Sequence, residues 1–418
     1  MPHNNIFFNI IVPTKNRKET LKYTLQTIDA QDYDNYKIII LDNNSSDGTE
    51  DFVKKCNNKN IIYENSNKDL PMNENWERGL KFCEKGFVTV IGDDDGLCPN
   101  ALYELNIFLN NNETEIISWS PNCYHWLNLD SKKKNDVEIY FASNTKNKFS
   151  KFDSDIILKR IIDMSSLYLA SPMIYNSFVD INLIKRIKFK KKNNVFFSNG
   201  IPDVYSGLIL LLNSKKFYVA NFPIGVAGIS KSSLGAILSK KIKTPDDIKK
   251  SHKYFSINRV PPIPSYYLCI LEPFGEICEE FEEARRYLVN FYRLKMRVEQ
   301  EIFNEAPEHK KFYKKELNLF ITEFKKKYNF IQKLKIFYNL LEINFSATYD
   351  RIILKLDNNI DNIDDASVEI LNKFNYFSTH EIQKKEKLDK NLYYTNILRR
   401  LGLYNIFLTI FKIKKIFN

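Results

Sequence analysis

Three consecutive carboxylates, Asp93, Asp94 and Asp95, follow directly on an apolar run in the stretch VTVIGDDDGLCPNAL (Val88–Leu102). Adjacent like charges repel, so the triplet is either a solvated turn that satisfies backbone N–H groups or a site where a cation offsets the repulsion. Hard divalent ions such as Mg²⁺ or Mn²⁺ take oxygen ligands, use only one or two protein carboxylates, and complete their shell with water and substrate phosphates. Such a site suits a reaction in which a diphosphate leaves, because the metal stabilises the charge that develops on it. A fourth acid, Asp42, ends another apolar run, KIIIL, where it suits hydrogen bonds from a base or ribose. Neither GxGxxG nor GxxxxGK[ST] occurs, so no other phosphate cradle competes.

These acids need strands to hold them. IFFNIIV (6–12) is a short run of branched and aromatic residues closed by Pro13, which reads as a central parallel strand. A helical pattern starts at Arg17, with Leu21, Leu25 and Ile28 on one face. KIIIL (37–41) is a second buried strand, and in DNNSSDGT (42–49) Ser46 or Asp47 is placed to cap a short helix through Phe52 and Val53. NIIY (60–63) and FVTVI (87–91) are further strands, separated by a helix through Trp76 and Leu80. Strands alternating with helices argue for βαβ units in a parallel sheet, whose ligands bind at the carboxyl ends of the strands. That rule gathers PTKNR, DNNSSDG and GDDDG at one rim. Farther on, 115–119 is another strand, 128–153 a polar excursion or mobile loop, and 198–225 a turn, a helix through Leu208–Leu212 and a strand near Phe217–Ala220.

The chain has 418 residues, enough for two domains, and its 44% hydrophobic and 14% aromatic content supports a sizeable core. Its net charge of +11 is uneven: residues 1–100 carry −4, residues 101–280 carry +7 and residues 281–418 carry +8. Basic runs such as KRIKFKKKNN (185–194) come without a nucleic-acid motif, so nucleic acid is not expected as a partner. Six cysteines without CxxC pairing read as thiols of a reducing compartment. No signal-peptide pattern opens the chain and no segment has the roughly 18–20 apolar residues of a membrane span. A cytoplasmic protein is expected, with membrane contact only from the surface.

IIVPTKNR (10–17), LDNNSSDGT (41–49) and IGDDDGLCPNAL (91–102), in this order and spacing, resemble the nucleotide-binding half of the family 2 glycosyltransferases of GT-A fold. The resemblance covers about residues 6–105 and continues more weakly to about 235. It implies an α/β fold, a Rossmann-like mixed or parallel sheet flanked by helices, followed by a mainly α-helical C-terminal region. It also implies an inverting transferase that uses a nucleoside-diphosphate sugar, UDP-linked by preference, and Mn²⁺ or Mg²⁺. Carried over by motif, Pro13, Thr14, Asn16 and Arg17 border the nucleoside and Asp42 meets the base. Asp94 is the direct metal ligand, and Asp93 serves the metal and the diphosphate. Asn75, in NENWERGL, joins the nucleotide site, although the family more often has Asn-x-Gly there. The family's base stands at the start of a helix about 100 residues after the metal motif, which picks out Asp203 in GIPDVYSGLILLL. A helix N-terminus is expected to keep that acid ionised.

The domains expected are 1–235 for catalysis, 236–280 as a linker or lid segment, and 281–418 as a helical domain. In the last, Phe320, Phe324, Tyr328, Ile331, Leu334, Tyr338, Leu341 and Phe345 recur at three- and four-residue steps, as in one amphipathic helix. The end, LYNIFLTIFKIKKIFN (403–418), joins bulky apolar residues to lysines and suits an anionic membrane surface as well as it suits packing on its own domain. The function expected is transfer of a sugar to a growing surface glycan of capsule or lipooligosaccharide type, free or lipid-linked. A nucleotidyltransferase and a degenerate transferase fold acting as a binding scaffold are the alternatives. Trp119, Tyr124 and Trp126 are candidates to stack on an acceptor sugar, and Lys231, His252 and Arg259 are weaker candidates for the donor side.

Overall fold

The short apolar runs become the strands of a mixed sheet. The computed structural model describes residues 5–341, apart from 121, 127–136, 139–146 and 231–243, together with 362–368 and 370. In chain order the first half gives β1 (Phe8–Thr14), α1 (Lys18–Asp29), β2 (Tyr36–Asp42), α2 (Thr49–Lys55), β3 (Ile61–Asn65), α3 (Met72–Leu80), β4 (Phe87–Val90), β5 (Gly96–Leu97), α4 (Ala101–Asn111), β6 (Ile116–Trp119) and β7 (Asn122–His125). Next come β8 (Val137–Glu138), β9 (Phe149–Asp153), α5 (Ser154–Ile162), β10 (Ser177–Asp180), α6 (Ile181–Lys190), α7 (Pro202–Asn213), β11 (Lys216–Ala220) and β12 (Gly225–Ile229). The described remainder is helical: α8 (Pro245–Tyr254), α9 (Tyr266–Glu280), α10 (Phe291–Glu301), α11 (Pro307–Lys326) and α12 (Phe330–Leu341).

Eight strands form the main sheet in the order β3-β2-β1-β4-β10-β6-β11-β9. The expected α/β architecture is present. β1 to β4 are parallel, β10 runs against both β4 and β6, and β9 closes the edge against β11. A small second sheet, β5-β12-β7-β8, stands beside it. Alternation along β1 divides the core in two, with Ile11 in one apolar cluster and Phe8, Ile10 and Val12 in the other. Each such buried side chain stabilises the fold by about 1.5–3 kcal/mol, so truncating Ile11 to Ala removes that contribution and leaves a void as well. Pro13 fits inside this central strand because the ladder to β4 ends at Ile11↔Val90, and the next residue facing that side needs no N–H.

Several local expectations change. The polar stretch 128–153 ends in β9, an edge strand anchored by Phe149 stacked on Phe108 at 3.7 Å; its middle lies outside the described residues. The single amphipathic helix is two. Asn329 accepts from the Gln332 backbone N–H at 2.9 Å while Gln332 Oε1 accepts from the Asn329 N–H at 3.0 Å, a reciprocal cap that ends one helix and starts the next. Phe345 lies outside the described residues. Within 236–280, expected as linker or lid, α9 buries Leu268, Ile270, Leu271, Phe274 and Ile277 in the same cluster as α7. Residues 1–374 form one compact unit and 375–418 a second, which lies outside the described residues. No helix among the described residues is long and apolar enough to cross a membrane. All six cysteines are described, and none is in a disulfide.

Candidate active site

The parallel register sets Thr14 opposite Asp42 at the carboxyl end of the sheet, with Asp93 just beyond β4. Asn16, in the left-handed region at φ 53°, stitches the first two loops together. Its N–H donates to Ser45 Oγ at 2.8 Å and its Oδ1 accepts from the Ser46 N–H at 2.7 Å. Asp47 does similar work, accepting from the Lys18 N–H at the start of α1 and from the Thr49 N–H and hydroxyl. The N-cap of α2 is therefore Gly48, at φ 85°, and neither Ser46 nor Asp47. Asp42 is fully buried; Oδ1 accepts from the Ser45 N–H at 2.8 Å and Oδ2 from the Tyr63 hydroxyl at 2.6 Å. Asn75 is buried as well, bridging the Leu41 carbonyl and Arg78. Pro13, Thr14, Asn16, Arg17, Asp42 and Asp93 thus converge on one rim, while Asn75 lies behind it.

The three acids have three different environments. Asp93 accepts from Thr14 Oγ1 at 2.7 Å and from Arg17 Nη1 at 2.5 Å. Burial drives its carboxyl up to about 6, against the pull of Arg17 and with the push of Asp94. Asp94 points to β12, where Ser230 Oγ donates to its Oδ2 at 2.6 Å; Arg17 approaches its Oδ1 only to 3.4 Å. Its carbonyl accepts from Trp126 Nε1 at 3.0 Å. Asp95 folds back, taking the Gly92 N–H at 2.6 Å and the Gly228 N–H at 2.7 Å. Burial, then Asp94, raises its carboxyl too. Asp95 therefore ties the acidic turn to β12, and Gly228 is needed there because a Cβ would sit 1.7 Å from the Asp94 carbonyl.

Asp203 occupies the first turn of α7 beside Pro202. Its Oδ1 is sealed from solvent without a hydrogen-bond partner. Burial raises its carboxyl above the usual carboxylate range, and the Val204 and Asp203 N–H groups of the helix end oppose that rise without cancelling it. Tyr175 lies within electrostatic reach of both Asp203 and Asp95. Its 3₁₀ turn (Ile174–Asn176) is held from two sides, the Ile174 carbonyl accepting from Thr89 of β4 at 3.0 Å and the Ile174 N–H donating to Ser206 of α7 at 3.1 Å. The segment before α7 is also clamped. Lys191, fully enclosed, donates to Ser198 and Tyr205 at 2.6 Å each and pairs with Glu280 of α9 at 3.1 Å. Asn199 donates to Glu276 of α9 at 2.8 Å, and Glu77 of α3 takes the Phe196 and Phe197 N–H groups at 2.9 Å.

Residues 9–164 match the family model described as glycosyl transferase family 2. The chain carries a family 2 glycosyltransferase domain. Among curated relatives it is 36% identical over 100 residues to the GalNAc(5)-diNAcBac-PP-undecaprenol beta-1,3-glucosyltransferase of Campylobacter jejuni, covering 23% of this chain and 32% of that one. It is 32% identical over 110 residues to the abequosyltransferase RfbV of Salmonella typhimurium, covering 25% and 33%. The match therefore spans about a third of each relative. Among solved structures, S. aureus TarS 1-349 in complex with UDP-GlcNAc aligns at 15% identity and TM-score 0.44, over 72% of this chain and 74% of that one.

Within the family 2 domain, no three His, Cys, Asp or Glu side chains converge as a metal cage among the described residues. Asp94 and Asp93 are instead a largely buried, all-oxygen pair, a donor set that a hard ion completes with water and phosphate oxygens, so the residues fit such an ion. The other candidates separate clearly. Arg259 is engaged by Glu272 and Glu279, Trp119 and Tyr124 are core, His252 has its proton affinity lowered by burial, and Lys231 lies outside the described residues. Of the three aromatic candidates, Trp126 touches the acidic turn, through its indole N–H on the Asp94 carbonyl. Ser230, Gly228, Tyr63 and Tyr175 were missed; Ser230 and Gly228 reach the acids from more than 130 positions downstream, and no local pattern marks them.

Proposed function

We propose that the chain is a metal-dependent, inverting glycosyltransferase that moves a sugar from a nucleoside-diphosphate donor to a hydroxyl of a glycan. The observation that supports this reading is an acidic turn at the carboxyl end of the sheet with a second buried acid, Asp203, linked to it through Tyr175. Asp93 and Asp94 pair with Arg17, and Tyr175 is within electrostatic reach of both Asp203 and Asp95 of the same acidic turn. Thr14 and Arg17 hold the Asp93 side of the donor pocket in place. A divalent ion on Asp94 and Asp93, when bound, supplies positive charge to the departing diphosphate. Asp203 takes the proton from the acceptor hydroxyl as its oxygen attacks the anomeric carbon opposite the leaving group. A carboxylate raised by burial is a better base near neutral pH than an exposed one. The curated relatives' names, one with a polyprenyl-diphosphate glycan, favour a lipid-linked glycan as acceptor. On this reading residues 1–235 hold the chemistry, and α9 supports it through Glu276 and Glu280. Peripheral contact with the inner face of a membrane, through 403–418, accords with such an acceptor.

Two measurements test the reading. Thermal-shift screening against nucleoside diphosphates and their sugars, uridine forms first, with and without Mn²⁺, is expected to show stabilisation that requires metal; indifference to every nucleotide would favour the scaffold reading. Asp94→Ala is expected to abolish the metal dependence of turnover, and unchanged metal dependence removes Asp94 from the site.

A further inference from the structure

The C-terminal helices of the described unit turn an apolar stripe to solvent. Phe330 and Ile331 at the start of α12 are 74% and 64% exposed, and Leu334 is 41% exposed. Spacings of four and three residues put all three on one helix face. The same helix meets the core elsewhere, through buried Ile336, whose carbonyl accepts from Asn290. An exposed stripe of this kind marks an interaction surface, and its surroundings indicate the partner. From Lys325 to Leu341 the chain has five lysines, Lys325, Lys326, Lys327, Lys333 and Lys335, and no acid. Burial, then Lys295 of α10 and Lys333 of α12, weaken the hold of Lys325 on its proton, so lysines from three helices converge. The acids facing them are Glu323, paired with Lys326, and Glu299, paired with Lys295; Lys335 shares a cavity wall with Asp155 and Asp163. Lys325, Lys327 and Lys333 have no ion-pair partner among the described residues.

We propose that this face of α12 seats the chain on an anionic bilayer surface, with Phe330, Ile331 and Leu334 entering the headgroup–acyl boundary and the lysines meeting lipid phosphates. Bulky apolar residues flanked by lysines are what interfacial binding requires. The chain's own segment 375–418 is a poorer occupant, since its nine basic and three acidic residues would be repelled by the same lysines. The contact is independent of the transfer chemistry and separate from the terminal stretch 403–418.

Co-sedimentation of the full-length chain with phosphatidylcholine vesicles, with and without phosphatidylglycerol, tests it. Binding is expected only with the anionic lipid and is weakened by salt. F330S/I331S is expected to lower the partition coefficient at least about tenfold, with an unchanged thermal midpoint because both side chains face solvent. F407S/F411S is expected to leave partitioning within about twofold of the parent. The proposal is overturned if F330S/I331S partitions like the parent, if its midpoint falls, if phosphatidylcholine alone binds as well, or if only F407S/F411S abolishes binding.

Discussion

Gly228→Ala is a severe test of the site, because the perturbation is one methyl group and its position is known. The new Cβ would lie 1.7 Å from the Asp94 carbonyl oxygen and 2.8 Å from Trp126 Nε1, whereas real Cβ contacts stay beyond 3.0 Å. A backbone carbonyl has no rotamer to escape through, so β12 and the acidic turn must separate by more than an ångström. The bonds at risk are Gly228 N–H to Asp95 at 2.7 Å, Trp126 to the Asp94 carbonyl at 3.0 Å and Ser230 to Asp94 at 2.6 Å. A hydrogen bond to a charged group contributes about 1.5–3 kcal/mol, and overpacking adds about 1–3 kcal/mol. The expected loss is therefore about 2.5–6 kcal/mol if one charged bond breaks. A displacement of about 1 Å at a reacting centre costs on the order of 10²-fold in rate. Nucleotide release from the sugar donor and thermal unfolding, measured on one sample, read both effects. Gly225→Ala in the same strand is the control, since its Cβ meets the Trp119 side chain at 2.8 Å and no backbone atom closer than 3.4 Å; about 1 kcal/mol is expected there. Parental turnover and midpoint in Gly228→Ala, or greater loss of turnover in Gly225→Ala, would refute the juxtaposition of β12 and the acids.

Three further outcomes are expected. Arg17→Gln strips Asp93 of its cation and, as the breaking of a buried pair, costs about 3–5 kcal/mol by calorimetry; a divalent ion should stabilise this variant more than the parent. Asp93, at about 6 in the fold and 3.8 ordinarily, binds its proton more tightly when native, so its contribution to stability falls as pH rises from about 4 to 6. Asp203, raised in the same sense, gives two signs to check: its contribution to stability falls as pH rises above the ordinary carboxylate range, while turnover rises as it deprotonates. Asp203→Asn should flatten the first in pH-resolved unfolding and remove the second from the acid limb of kcat/KM. Lys191→Met leaves Glu280 without its partner and loosens the segment leading to Asp203, with an expected cost of about 3 kcal/mol and a lower kcat at unchanged donor KM.

What the sequence revealed and what it hid differ by range. β1, β2 and β4 were legible because each is a short continuous apolar run, and a strand buried on both faces has that pattern whatever it pairs with. The rim at their carboxyl ends followed from the parallel topology, so Thr14, Asp42 and Asp93 could be grouped before their register was seen. Chain direction in the second half was not legible: β10 is inserted between β4 and β6 in the opposite sense, and nothing in Ser177–Asp180 encodes its neighbours. The break at Asn329 was hidden for another reason. Apolar spacing continues across it, and only the reciprocal Asn329–Gln332 cap separates α11 from α12.

The acidic triplet shows why composition at a site does not reveal its electrostatics. Repulsion between neighbouring carboxylates is relieved here by distinct hydrogen-bond partners for each side chain and by Arg17 beside the first two. Asp95 is satisfied by two backbone N–H groups, one of them from β12, and so belongs to the architecture. Asp93 is held by Thr14 and at close range by Arg17. Asp94 receives a neutral hydroxyl from Ser230 and a guanidinium no nearer than 3.4 Å. Arg17 bridges the two acids of the proposed metal site, so the same guanidinium that steadies them without metal is placed to turn toward a diphosphate when a metal takes over the charge. On the proposed function, metal and donor binding would be coupled through this one side chain, and Arg17→Gln is expected to abolish that coupling even where the fold survives.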